Sequence, residues 1–64
     1  MKYVLGEPPR TSNEAFDALD RVLGGDEFSQ SEAEEVLEEV LDMSSDEATR
    51  EFRRLTRMDV IEEA

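Results

Sequence analysis

A chain of 64 residues has room for one small domain, and 18 Asp and Glu against 7 Lys and Arg leave it a net charge of −11. With neither Cys nor His present, disulfides, thiolate metal sites, the commonest zinc ligand and the commonest general base are all excluded. No apolar run approaches the ~20 residues of a membrane span, and the start MKYVLGEPPR is too short in apolar residues for a signal peptide, so a single cytoplasmic domain over 1–64 without membrane contact is expected.

Residues 1–10 form an extended N-terminal arm or short strand. Lys2-Tyr3-Val4-Leu5 is apolar, aromatic and β-branched but too short for a helix, and Pro8-Pro9 forces an extended link onward. One punctuation mark then recurs three times: Thr11-x-x-Glu14, Ser29-x-x-Glu32 and Ser44-x-x-Glu47. In such a capping box the hydroxyl accepts a hydrogen bond from the amide three residues on, and the Glu reaches back to the cap's own amide. Each box precedes an apolar-periodic run, which predicts helices near 12–23, 30–42 and 45–58.

The first helix carries Ala15, Phe16, Leu19, Val22 and Leu23 on one face, and Gly24-Gly25 ends it. The second carries Ala33, Val36, Leu37, Val40 and Leu41, with Glu34, Glu35, Glu38, Glu39 and Asp42 opposite. Phe28, just before the Ser29 cap, is placed to staple onto Ala33. The third carries Ala48, Phe52, Leu55 and Met58 within an arc of about 120°, and Met43 and Met58 are expected to close the core at helix ends. Val60-Ile61 is a second short extended segment. The fold class is therefore all-α, or α with a minimal two-stranded sheet if the two flanks pair: a three-helix, helix-turn-helix-like bundle.

Little here suggests catalysis. The glutamates of SEAEEVLEEVLD point outward from one helix, so they read as a solvated face rather than a converging cation site. GGDEFSQSE lacks the alternating acids of a calcium loop, and no serine has a base to activate it. No enzyme activity, cofactor or metal is expected.

The chemistry gathers in the third helix. Arg50, Arg53, Arg54 and Arg57 span about 100° of its outer face, with Thr49 and Thr56 near enough to add hydroxyl contacts. Residues 45–58 set four arginines against Asp46, Glu47 and Glu51 for a charge of +1, so the other fifty residues carry −12. Three readings stay open: a face paired locally, as Glu47 with Arg50 and Glu51 with Arg54, or with the second helix's glutamates; contact with duplex DNA; or contact with a protein partner or a second copy.

The stretch LEEVLDMSSDEATREFRRLTRMDVIEE, Leu37 to Glu63, resembles the helix-turn-helix part of winged-helix DNA-binding domains. Leu37, Val40 and Leu41 match the supporting helix, Met43 the turn, Ser44 the cap, and Ala48, Phe52 and Leu55 the buried side of the recognition helix. Met58 to Glu62 match the exit toward the wing, and Asp42 stands where the family usually has Gly. Since only three residues follow Ile61, any sheet must take its partner strand from KYVL. The resemblance implies a small DNA-binding or transcription-associated protein using Arg50, Arg53, Arg54, Arg57, Thr49 and Thr56; the alternative is a non-catalytic protein–protein interaction module. Six Arg to one Lys among so many carboxylates also resembles the composition of proteins from salt-loving archaea, where the acidic surface is an adaptation to salt.

Overall fold

The computed structural model describes all 64 residues, in the order β1 (Tyr3–Leu5), α1 (Glu14–Leu23), α2 (Gln30–Leu41), α3 (Ser45–Arg57) and β2 (Ile61–Glu63). The two later capping boxes form as expected. The Ser29 hydroxyl accepts from the Glu32 amide at 3.1 Å, and Glu32 accepts from the Ser29 amide at 2.9 Å. Ser44 and Glu47 repeat the exchange at 3.2 and 3.0 Å. The first box does not form. Asn13 caps α1 instead, its side-chain oxygen accepting from the Phe16 amide at 2.9 Å, so the helix begins at Glu14 rather than near residue 12. Asn is the stronger cap, and it leaves Thr11 in the extended arm.

Each helix stops for a local reason. At the end of α1, Gly24 takes φ 56° and returns its amide to the Asp20 carbonyl at 3.0 Å. Asp42 ends α2 in the left-handed region, at φ 58° and ψ 32°, a conformation that favours Gly or Asn. After α3 the chain reverses through Met58 and Asp59, the latter also left-handed at φ 61°, and the Val60 amide returns to the Leu55 carbonyl at 3.0 Å.

The flanks do pair. β1 and β2 are antiparallel, with Tyr3 opposite Glu63, Val4 opposite Glu62 and Leu5 opposite Ile61. On its other side Tyr3 exchanges both backbone hydrogen bonds with Phe28, at 2.8 and 2.9 Å, so a one-residue third strand precedes α2. Gly6 makes the sheet's closest approach. A β-carbon there would lie 2.7 Å from the Asp59 carbonyl oxygen and collide with the Glu62 carboxylate.

The core is a single cluster of twelve residues from every helix, from Phe28 and from the last turn, with Phe28, Leu19, Leu37, Leu55 and Ile61 wholly enclosed. Phe28 and Ala33 are both fully buried, as the staple requires. Tyr3 and Met43 pack against the cluster from its edge. Three expected core positions lie outside. Val22 is 54 %, Val40 45 % and Met58 44 % exposed, while Ala18 is buried in α1. Val22, Val40 and Met58 stand at or near the ends of their helices, and a stripe's tip is buried only where another element reaches it. The radius of gyration, 10.3 Å, is close to the roughly 11 Å of a compact chain this long, so the acidic composition does not leave it unfolded.

Candidate nucleic-acid interface

The geometry of α3 follows from its wheel. Ala48, Phe52 and Leu55 are buried, and about 180° away the helix meets no other element. Arg50, Arg53, Arg54 and Arg57 are all exposed, as the periodicity requires. The turn of Asp42, Met43 and Ser44 sets α3 against α2, and the Ser44–Glu47 box fixes where α3 begins.

Pairing divides the four arginines. Arg54 Nη1 lies 3.4 Å from the half-buried Glu51 carboxylate, the pair expected from their i,i+3 spacing. Arg50, Arg53 and Arg57 make no ion pair, and no arginine of α3 reaches the glutamates of α2. Glu47 and Arg50 do not close to a salt bridge, although the Arg50 charge acts on that carboxylate. The chain's only other ion pair joins Lys2 to Glu32 at 3.9 Å.

Thr49 and Thr56 flank this face, half-buried, on the side toward Phe52. Their hydroxyl protons are engaged within the helix: Thr49 donates to the Ser45 carbonyl at 3.1 Å and Thr56 to the Arg53 carbonyl at 2.7 Å. In this state each hydroxyl presents its oxygen as an acceptor. Asp46, Thr49, Arg50 and Arg53 together line a shallow hollow of about 370 Å³ on the same face.

The fold adds one basic residue that sequence reasoning did not place. Arg10, exposed and unpaired, follows Pro8-Pro9 in the arm and lines the same open groove as Arg53 and Thr56 of α3. Only the extended link foreshadowed it, because the shared groove depends on β1 pairing with β2.

Two carboxylates are held below the ordinary glutamate range. Glu47 lies below the usual glutamate range because its carboxylate accepts from the Ser44 amide and interacts with the Ser44 side chain. Glu32 is lowered in the same way by Ser29, with a smaller assist from Lys2. Both shifts are capping effects at helix starts. The acidic face of α2 does not converge, and no three carboxylates come together as a metal ion would require. No helix is long and apolar enough to cross a membrane. The chain matches no protein-family model, no curated protein and no solved structure.

Proposed function

We propose that the protein is a small helix-turn-helix-like DNA-binding or transcription-associated domain that presents α3 to the duplex. The observation that carries this reading is the unpaired state of Arg50, Arg53 and Arg57 in a chain with 18 carboxylates. If neutralising those carboxylates were the arginines' task, they would sit against them. A uncovered helix of 13 residues, about 20 Å long and ~10–12 Å across, suits a major groove about 12 Å wide. Arginine's planar fork suits both phosphate and guanine. The acidic remainder is then a surface suited to high salt, where electrostatic affinity is weak and base contacts carry more of the binding.

The test is fluorescence anisotropy with mixed-sequence duplex DNA over a salt series. It compares the wild type with a variant in which all four α3 arginines are Gln, with circular dichroism confirming that both are folded. With three to four phosphate contacts, log affinity falls against log salt with a slope of about −3, and the variant loses binding. Absence of binding at the lowest salt where the protein stays folded sinks the proposal. The second reading, a protein-interaction module, is favoured by the exposed apolar side chains of Val22 and Val40, and a co-purifying partner without DNA affinity would establish it.

A further inference from the structure

The four arginines of α3 do not share one line. At 100° per residue, Arg50 and Arg57 lie within about 15° of the direction opposite the buried Ala48, Phe52 and Leu55. Arg53 and Arg54 lie about 50° to either side of that direction. All four side chains are exposed, so nothing in the fold turns them from the directions their positions set.

A helix seated in a major groove meets two kinds of surface. Beneath its outermost line lie base edges, and along each flank runs a strand's phosphates. Arg50 and Arg57 then face the floor of the groove, with Arg53 and Arg54 toward opposite strands. The acids of α3 fit this division. Glu51 accepts from Arg54 Nη1 at 3.4 Å, which steadies that side chain on its flank and leaves its other donors free. Glu47 is turned back to the Ser44 amide at 3.0 Å. Asp46 is exposed and unpaired about 30° from the central line. A carboxylate there repels phosphate but accepts from a cytosine amino group, so base edges suit the centre of the face.

Spacing then sets what is read. Arg50 and Arg57 are about 10.5 Å apart along the axis, at 1.5 Å for each residue between them. Base pairs rise about 3.4 Å, so that distance spans about three steps for a helix parallel to the duplex and fewer once it tilts along the groove. Guanine's O6 and N7 are the edge that matches arginine's fork.

We infer that α3 selects two G·C base pairs lying two or three steps apart, with Arg50 and Arg57 each gripping a guanine edge and Arg53 and Arg54 holding phosphates on either side. This rests on the DNA reading above and adds to it the sequence that is selected. On duplexes without that spacing the central arginines turn to phosphates, and binding there is weaker and nonspecific.

The test is fluorescence anisotropy with short duplexes of mixed A·T sequence. They carry two G·C pairs two or three steps apart, two G·C pairs adjacent or six steps apart, or none, with the guanines placed on the same or on opposite strands. The wild type should prefer the first set by at least about tenfold. Arg50→Gln and Arg57→Gln should each remove most of that preference. Arg53→Gln and Arg54→Gln should keep it while weakening binding to every duplex alike, and should lower the salt slope by about one. Circular dichroism confirms that each variant is folded. Equal wild-type affinity for all duplexes leaves the DNA reading standing and overturns this inference. So does a preference lost with Arg53→Gln or Arg54→Gln and kept with Arg50→Gln and Arg57→Gln. Absence of binding to any duplex removes the DNA reading and this inference together.

Discussion

Tyr3 and Phe52 meet edge to face, with ring centroids 5.1 Å apart and planes at 87°, and this contact joins the sheet to the buried side of α3. It places a strand residue from the start of the chain against the middle of the helix that carries the arginines. The two-stranded sheet is too small to stand alone, so its stability comes from this packing and from the enclosed Ile61. The Tyr3 hydroxyl contributes little, because it donates only to the Met1 sulfur at 3.2 Å on the exposed edge. Tyr3→Ala is therefore expected to cost about 2 kcal/mol and Tyr3→Phe less than about 0.5 kcal/mol. Urea unfolding checks both, and an unchanged midpoint for Tyr3→Ala would show that the sheet does not support α3.

Asp42 is a point of stored cost. It holds φ 58° without being glycine, and its carboxylate sits at the C-terminal, negative end of α2. Asp42→Gly removes both penalties and is expected to stabilise the fold by about 0.5–1 kcal/mol, which in a domain this small raises the melting temperature by several degrees. Asp42→Ala keeps the steric penalty and loses the local hydrogen bonding that lets Asp tolerate this conformation, so it should melt below the wild type. If both substitutions have the same effect, the charge matters and the backbone does not.

The helices and their apolar faces were legible because their signals are local. Ser29 and Ser44 each form both bonds of a box within three residues, so four positions suffice to announce them. Thr11 carried the same pattern and failed, because Asn13 is a better cap two residues later and no pattern of single boxes decides between competitors. Phe28 was legible as a staple but not as a strand, since one residue has no alternation to display. The arginine face was visible from 100° steps alone, and so was the Glu51–Arg54 pair. The groove that Arg10 shares with Arg53 was not, because it rests on pairing across more than fifty residues of sequence.

The difference between a periodic stripe and a covered one is measurable. Leu55 is fully enclosed, whereas Val40 continues the stripe of α2 but is 45 % exposed. Leu55→Ala is expected to cost about 2–5 kcal/mol, enough to unfold much of a domain with so thin a core. Val40→Ala should stay within about 0.5 kcal/mol in urea unfolding, as a surface substitution does. A cost for Val40→Ala near that of Leu55→Ala would mean that its face is covered in solution, and sedimentation would then be expected to show self-association.

Acid should act on the fold through its two helix starts. The Glu47 and Glu32 carboxylates hold their protons less tightly in the folded chain than in the unfolded one, chiefly because each accepts its cap's amide hydrogen bond. The unfolded state therefore binds more protons, and stability from these groups rises with pH. It is fully present above the ordinary glutamate value of about 4.3 and is lost as pH falls through the lower, folded values. Glu47→Gln keeps a side chain that can reach back to Ser44 but cannot titrate, so it should flatten the fall in stability between about pH 5 and 3. A carboxyl-carbon NMR titration checks the cause directly. Glu47 should titrate below a glutamate in an unstructured peptide, and Ser44→Ala should move its midpoint upward by removing the hydroxyl half of the box and loosening the other half. If Ser44→Ala leaves that midpoint where it was, the cap is not what lowers it, and the pH dependence must come from the net charge instead.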